Sequence, residues 1–260
     1  MMEKTVEQVP TSKQPYTDEQ ISTLREKQPE SLKQKGRALI ISAVGKLFHT
    51  LIDRKSTNLE EISKTYIEKT KVKITIDETS KQAIQKFKQE GRGIIMSNHK
   101  AINFNDYLPV IAEVGNPDIV YTASHNFAMN RREFPDTKFR PVNLGKTSYK
   151  KAKITNDVAQ QDIDTIAHKG YVYLLPSGED NKPEATFKGL SKKFIKDSPA
   201  DLPILIIHID HNYPEGMRGY ADTLLALLTK KELGEVSITA HLTSAKDFQE
   251  KLAQGEQLSR

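Results

Sequence analysis

Hydrophobic spacing changes along the chain, and the change divides it. Up to about residue 70, apolar positions recur at helical intervals. The run Ala38-Leu39-Ile40-Ile41-Ser42-Ala43-Val44-Gly45 continues through Leu47, Phe48, Leu51 and Ile52 as an amphipathic helix. Thr17-Asp18-Glu19-Gln20 and Thr57-Asn58-Leu59-Glu60 each read as a capping box, the second opening a helix over about 58–69. Then the period shortens. Val72, Ile74 and Ile76 alternate as in a half-buried strand. Asp77 stands where a helix cap is needed. Ala83, Ile84 and Phe87 follow on one helical face, and Gly91 marks the stop.

The alternation repeats. Strands are predicted over 93–97, 118–122, 171–175, 203–209 and 236–242. The most hydrophobic, 203–209, is expected to be central. Helices are predicted over 107–113, 156–168 and 220–231. The last-named but one carries Ala159, Ile163, Ile166 and Ala167 on one side and is stopped by Gly170. The stretch 126–141, rich in charge and proline, reads as a loop, and so does 213–218. Strands alternating with helices indicate an α/β domain over 71–260. Before it come a helical subdomain over 16–70 and a disordered tail over 1–15.

Composition narrows the chemistry. The 260 residues include no cysteine, which removes disulfides, thiolate zinc sites and thiol nucleophiles. That agrees with a reducing compartment, and the expected location is cytoplasmic. The tail lacks an apolar core of the signal-peptide kind. No stretch approaches the roughly 18 apolar residues of a spanning helix. Lys35, Arg37, Lys46 and Arg54 flank the 38–52 helix, so peripheral docking on a membrane competes there with burial in a bundle. The net charge of +5 and pI near 9.1 favour anionic partners: phosphate esters, acidic carrier proteins, anionic lipid or nucleic acid. There is no tryptophan and no interleaving of aromatic and basic residues, so no nucleic-acid partner is expected.

Loops after the carboxyl ends of strands build the sites of such sheets, and three stand out. The first is Ser97-Asn98-His99-Lys100-Ala101-Ile102-Asn103-Phe104-Asn105-Asp106, between a strand and a helix. A histidine there can take a proton from a hydroxyl, and a carboxylate can fix its tautomer and steady the imidazolium. The second holds Arg140, Lys146, Lys150 and Lys151 around Gly145. The third is Pro176-Ser177-Gly178-Glu179-Asp180-Asn181-Lys182, followed by Phe187-Lys188-Gly189. A base, several cations and a tight turn with free N–H groups suit acyl transfer to a phosphorylated alcohol. No Gly-x-Ser-x-Gly elbow is present, and no covalent enzyme intermediate is needed. His125 follows a strand and reads as a polar loop residue. His208, Asp210 and His211 alternate across a strand, so no metal site is assigned.

These segments resemble a family, the glycerol-3-phosphate and lysophosphatidate acyltransferases. Asn98-His99 followed by Asp106 resembles its His–four residues–Asp motif. Leu175-Pro176-Ser177-Gly178 is similar to its Phe-Pro-Glu-Gly block, and closer to the Pro-Ser-Gly version of the plastid-type glycerol-3-phosphate acyltransferases. Phe187-Lys188-Gly189 and Leu202-Pro203-Ile204 resemble the later blocks, in the family's order, over roughly residues 71–245. The resemblance implies a mixed β-sheet flanked by helices, glycerolipid acyltransferase-like. It also implies transfer of a fatty acyl group from an acyl carrier protein or CoA thioester to the sn-1 hydroxyl of glycerol 3-phosphate, with no cofactor and no metal. His99 would be the base and Asp106 its orienter. Arg140, Lys146, Lys182 and Lys188 would hold phosphate, and Ser177 and Gly178 would shape the oxyanion loop. Two departures are visible. The family's aspartate position is Phe104 here, and Asp106 lies two residues further on. Either the loop bulges to bring Asp106 to the ring, or Asn103 or Asn105 orients it, or the site is not catalytic. Glu179 and Asp180 also stand where the family places an arginine. A lysophosphatidate acyltransferase and a non-catalytic lipid- or acyl-carrier-binding homologue are the rival functions.

Overall fold

The change of period near residue 70 marks the start of a mixed β-sheet with helices on both faces. The computed structural model describes residues 43, 46–48, 50–52, 58–98, 107–115, 119–124, 137–142, 170–174, 195–196, 198–212 and 216–253. Among them β1 (Lys73–Ile76), β2 (Gly93–Ser97), β3 (Ile119–Ser124), β4 (Lys138–Val142), β5 (Tyr171–Leu174), β6 (Pro203–His211) and β7 (Glu235–Ser244) form one seven-stranded sheet. Its order is β1-β7-β6-β2-β5-β3-β4. β2 to β6 all run parallel to one another. β7 is antiparallel to β6, and β1 is parallel to β7. β2 takes the middle place, and every residue of β2 and β5 is buried, as in strands covered on both faces. The strand read as central, β6, is its immediate neighbour.

Five described helices cover the sheet: α1 (Leu59–Thr70), α2 (Glu78–Glu90), α3 (Leu108–Val114), α4 (Gly216–Thr229) and α5 (Ala245–Ala253). Successive strand residues point to opposite faces, so β2 feeds two cores. Ile95 joins Tyr121, Tyr173 and Ile207 under Tyr66 of α1, Phe87 of α2 and Ile111 of α3. Ile94 and Met96 join Val172 and Ile204 under Phe248 of α5 and Ile195. Phe48 and Ile52, from the amphipathic stretch, are buried in the first core, and the Phe48 ring lies 5.7 Å from that of Tyr66. Leu47 beside them is exposed. No helix among the described residues is long and apolar enough to cross a membrane.

The caps refine the sequence reading. α1 is capped by Asn58 rather than Thr57: Asn58 Oδ1 accepts from the Glu61 N–H at 2.8 Å, one residue later than the box expected. Glu60 instead pairs with Lys64 at 2.7 Å. Asp77 caps α2 as expected, its carboxylate accepting from the Ser80 N–H at 2.8 Å and from the Ser80 hydroxyl at 2.7 Å. Ser80 Oγ also accepts from the Ala240 N–H at 2.8 Å, tying the cap to β7. The backbone hydrogen bond from Ser80, then its hydroxyl, holds the Asp77 carboxyl below its ordinary value of 3.8. A carboxyl depressed in the folded state stabilises above its unfolded pKa and loses that contribution as pH falls through the folded one. Acid titration is therefore expected to lower the melting temperature below about pH 4. Asp77→Asn, which caps without titrating but has one acceptor oxygen where the carboxylate uses two, is expected to melt somewhat below the wild type near neutrality and to flatten that acid limb. Equal acid slopes in thermal melts would remove Asp77 as a contributor.

Three sequence expectations differ from the fold. The loop over 126–141 contains most of β4, which pairs with β3 at the sheet edge. An edge strand tolerates the Pro141 that argued against a strand. Residues 216–218 belong to α4 rather than to a loop, and α5 follows β7 where no helix was expected. The capping box at 17–20 and the helix over 156–168 lie outside the described residues.

Candidate active site

All five parallel strands end at the same edge of the sheet, the edge that carries the site in open α/β folds. β2 and β5 are direct neighbours, with Met96 opposite Leu174. The chain therefore leaves these strands from points about 4.8 Å apart. After β2 comes Asn98-His99; after β5 comes Leu175-Pro176-Ser177-Gly178. β3 lies beyond β5 and β4 beyond β3.

A buried polar layer lies at the tips of these strands. The Ser97 and Tyr173 hydroxyls meet at 2.6 Å across β2 and β5. The Tyr173 ring is 5.9 Å from Tyr121 on β3. Burial pushes the Tyr121 phenol well above its ordinary value, and Tyr173 and Glu60 act in the same direction. Tyr121 therefore stays protonated and is no base. On the other side of β2, Asn98 grips β6. Its Oδ1 accepts from the Ile209 N–H at 2.7 Å, and its Nδ2 donates to the Ile209 carbonyl at 2.8 Å. Ser97 and Asn98 thus bind the end of β2 to both of its neighbours.

His99, Asp106, Lys146, Ser177, Gly178, Lys182 and Lys188 lie outside the described residues, as do Asn103, Asn105 and His125. The backbone of Arg140 is described: it sits on β4 opposite Thr122. Three strand spacings separate β4 from β2, about 14 Å, so Arg140 belongs to the flank of this edge and not to the exit of β2. Tyr107, the residue after Asp106, directly precedes α3. His208 and Asp210 are exposed and His211 is buried, so the three do not converge. Among the described residues no three side chains are grouped to hold a metal. The sequence reading gave Ser97, Tyr173 and Asn98 no role. Its available signal was two polar residues closing an otherwise wholly apolar strand.

No protein-family model matches the chain, and no curated protein matches it significantly. Among solved structures, the crystal structure of the 1-acyl-sn-glycerophosphate (LPA) acyltransferase PlsC from Thermotoga maritima is similar. The likeness spans 90% of this chain and 85% of that one, at 10% identity and a TM-score of 0.43. So distant a likeness carries no weight for function, and the functional reading rests on this chain's own residues.

Proposed function

We propose that the chain is an O-acyltransferase of glycerolipid synthesis. One observation supports this above the others. The two segments that resemble the acyltransferase blocks, Asn98-His99 and Leu175-Pro176-Ser177-Gly178, are about 75 residues apart in sequence yet follow adjacent, parallel, in-register strands. In this reading His99 takes the proton of the sn-1 hydroxyl of glycerol 3-phosphate, and Asp106 orients the ring. The hydroxyl oxygen attacks the carbonyl carbon of an acyl carrier protein or CoA thioester. The new C–O bond forms, the C–S bond breaks, and the proton passes from His99 to the departing thiolate. N–H groups of the turn at Ser177 and Gly178 receive the oxyanion. Lys146, Lys182 and Lys188 hold the phosphate, with Arg140 at the flank. The reaction needs only the acyl thioester as co-substrate, and a cytoplasmic location belongs to the same proposal.

A lysophosphatidate acceptor is the second reading, and α4 favours it. Leu225 and Leu228 stand 56% and 64% exposed one turn apart, with exposed Lys230 and Lys231 just beyond. Apolar side chains beside cations suit peripheral contact with an anionic bilayer. One assay tests both readings. The chain has no cysteine, so a thiol reagent reports released CoA without background from the protein. Acyl-CoA is offered with soluble glycerol 3-phosphate or with lysophosphatidate in anionic vesicles, and acyl carrier protein replaces CoA in parallel. Acceptor-dependent thiol release and a new ester are expected. Binding of acyl donors without turnover of either acceptor would leave the non-catalytic homologue.

A further inference from the structure

Asn98 does more than end a strand. The β2–β6 pairing closes with Ser97 opposite Ile207. Alternate residues of a strand direct their backbone groups to the same neighbour, so Ile209 is the next residue of β6 to face β2. Its N–H and C=O would normally be met by the backbone of a continuing β2. Here the Asn98 carboxamide meets both, at 2.7 and 2.8 Å. Ile209 is fully buried, so leaving its backbone unsatisfied would be costly. The side chain completes the pairing where the strand itself ends, at Ser97. The residue after Asn98 is His99.

On the opposite side, the Ser97–Tyr173 contact fixes the preceding residue to β5. Two consecutive residues are therefore tied to two different strands immediately before the candidate base. A primary amide carries one acceptor and one donor side by side, so it can meet both the N–H and the C=O of a single residue. We infer that Asn98 is a positioning residue that sets the place and direction from which the His99 backbone departs; this rests on the acyl-transfer reading of His99. A misplacement of about 1 Å in a catalytic group can cost about 10²-fold in rate.

The test is a double-mutant cycle in the thiol-release assay, using the full chain with folding followed by circular dichroism. Asn98→Ala is expected to lower kcat about 10²-fold, with KM for donor and acceptor changed less than about twofold. In a His99→Ala background the same substitution is expected to change the residual rate less than about twofold, because Asn98 acts only through His99. A structural role alone would lower both backgrounds equally. Asn98→Asp supplies a second variant. Its ionised carboxylate repels the Ile209 carbonyl, whereas the protonated acid can donate to it. The kcat of Asn98→Asp relative to the wild type is therefore expected to rise as pH falls, a signature that survives if the alanine variant folds poorly. Equal losses in both backgrounds, or an Asn98→Asp ratio independent of pH, overturn the inference while the acyl-transfer reading stands. A wild-type chain with no turnover of either acceptor overturns both.

Discussion

His99→Ala is expected to reduce acyl transfer about 10²–10⁴-fold, the usual contribution of a positioned general base. An alcohol is a poor nucleophile while it keeps its proton; the chain has no cysteine to serve instead, and burial holds the Tyr121 phenol protonated. The substitution should leave the fold intact, because β2 is secured before the histidine is reached. Ile94, Ile95 and Met96 are buried in the two cores, and Ser97 and Asn98 bond to β5 and β6. Asp106→Ala separates the possible orienters of the ring. A loss on the order of 10-fold or more gives the role to Asp106, and no loss moves it to Asn103 or Asn105. Turnover by His99→Ala equal to that of the wild type would end the base assignment.

The strands that position this segment were legible because their signals are local. Gly93 to Ser97 is preceded by Gly91 and followed by the polar Asn98-His99-Lys100, and β2 occupies those residues. Asp77 and Gly91 bracket α2 as a cap and a stop should, with Gly91 at φ 69°. β4 was hidden because the alternation in Lys138-Phe139-Arg140-Pro141-Val142 is short and runs into a proline, and its place at the sheet edge, where a proline is tolerated, is a tertiary fact. α1 starts one residue later than the capping box predicts because Thr57 and Asn58 are both good caps, and only the geometry chooses between them. The strand order was not legible either. β5 inserts between β2 and β3, and nothing local in Tyr171–Leu174 says so. That insertion puts the strand end that leads to Asn98-His99 beside the strand end that leads to Leu175-Pro176. The role of Asn98 was out of reach for the same reason, since its partner lies 111 residues away.

Gly93→Ala is expected to be the most destabilising small substitution in the sheet. A Cβ on Gly93 would lie 2.4 Å from Phe87 Cε2 and 2.6 Å from the Pro203 carbonyl oxygen. The first neighbour is a fully buried ring with nowhere to retreat, and the second is backbone of β6. Gly93 also sits at φ 147°, a conformation that L side chains rarely adopt. Overpacking and backbone strain together give a loss of about 3 kcal/mol, or a fall in melting temperature of about 6–12 °C for a chain of this size. Gly91→Ala provides the contrast two residues earlier. Gly91 has φ 69° but nothing within 4 Å of a new Cβ, so only the left-handed backbone is strained, at about 1 kcal/mol. Thermal melts of the two variants therefore separate crowding from conformation. A Gly93→Ala melt no lower than that of Gly91→Ala would mean that β2 can move away from Phe87 and Pro203. The end of β2 would then be free to shift as well, and with it the point from which His99 departs.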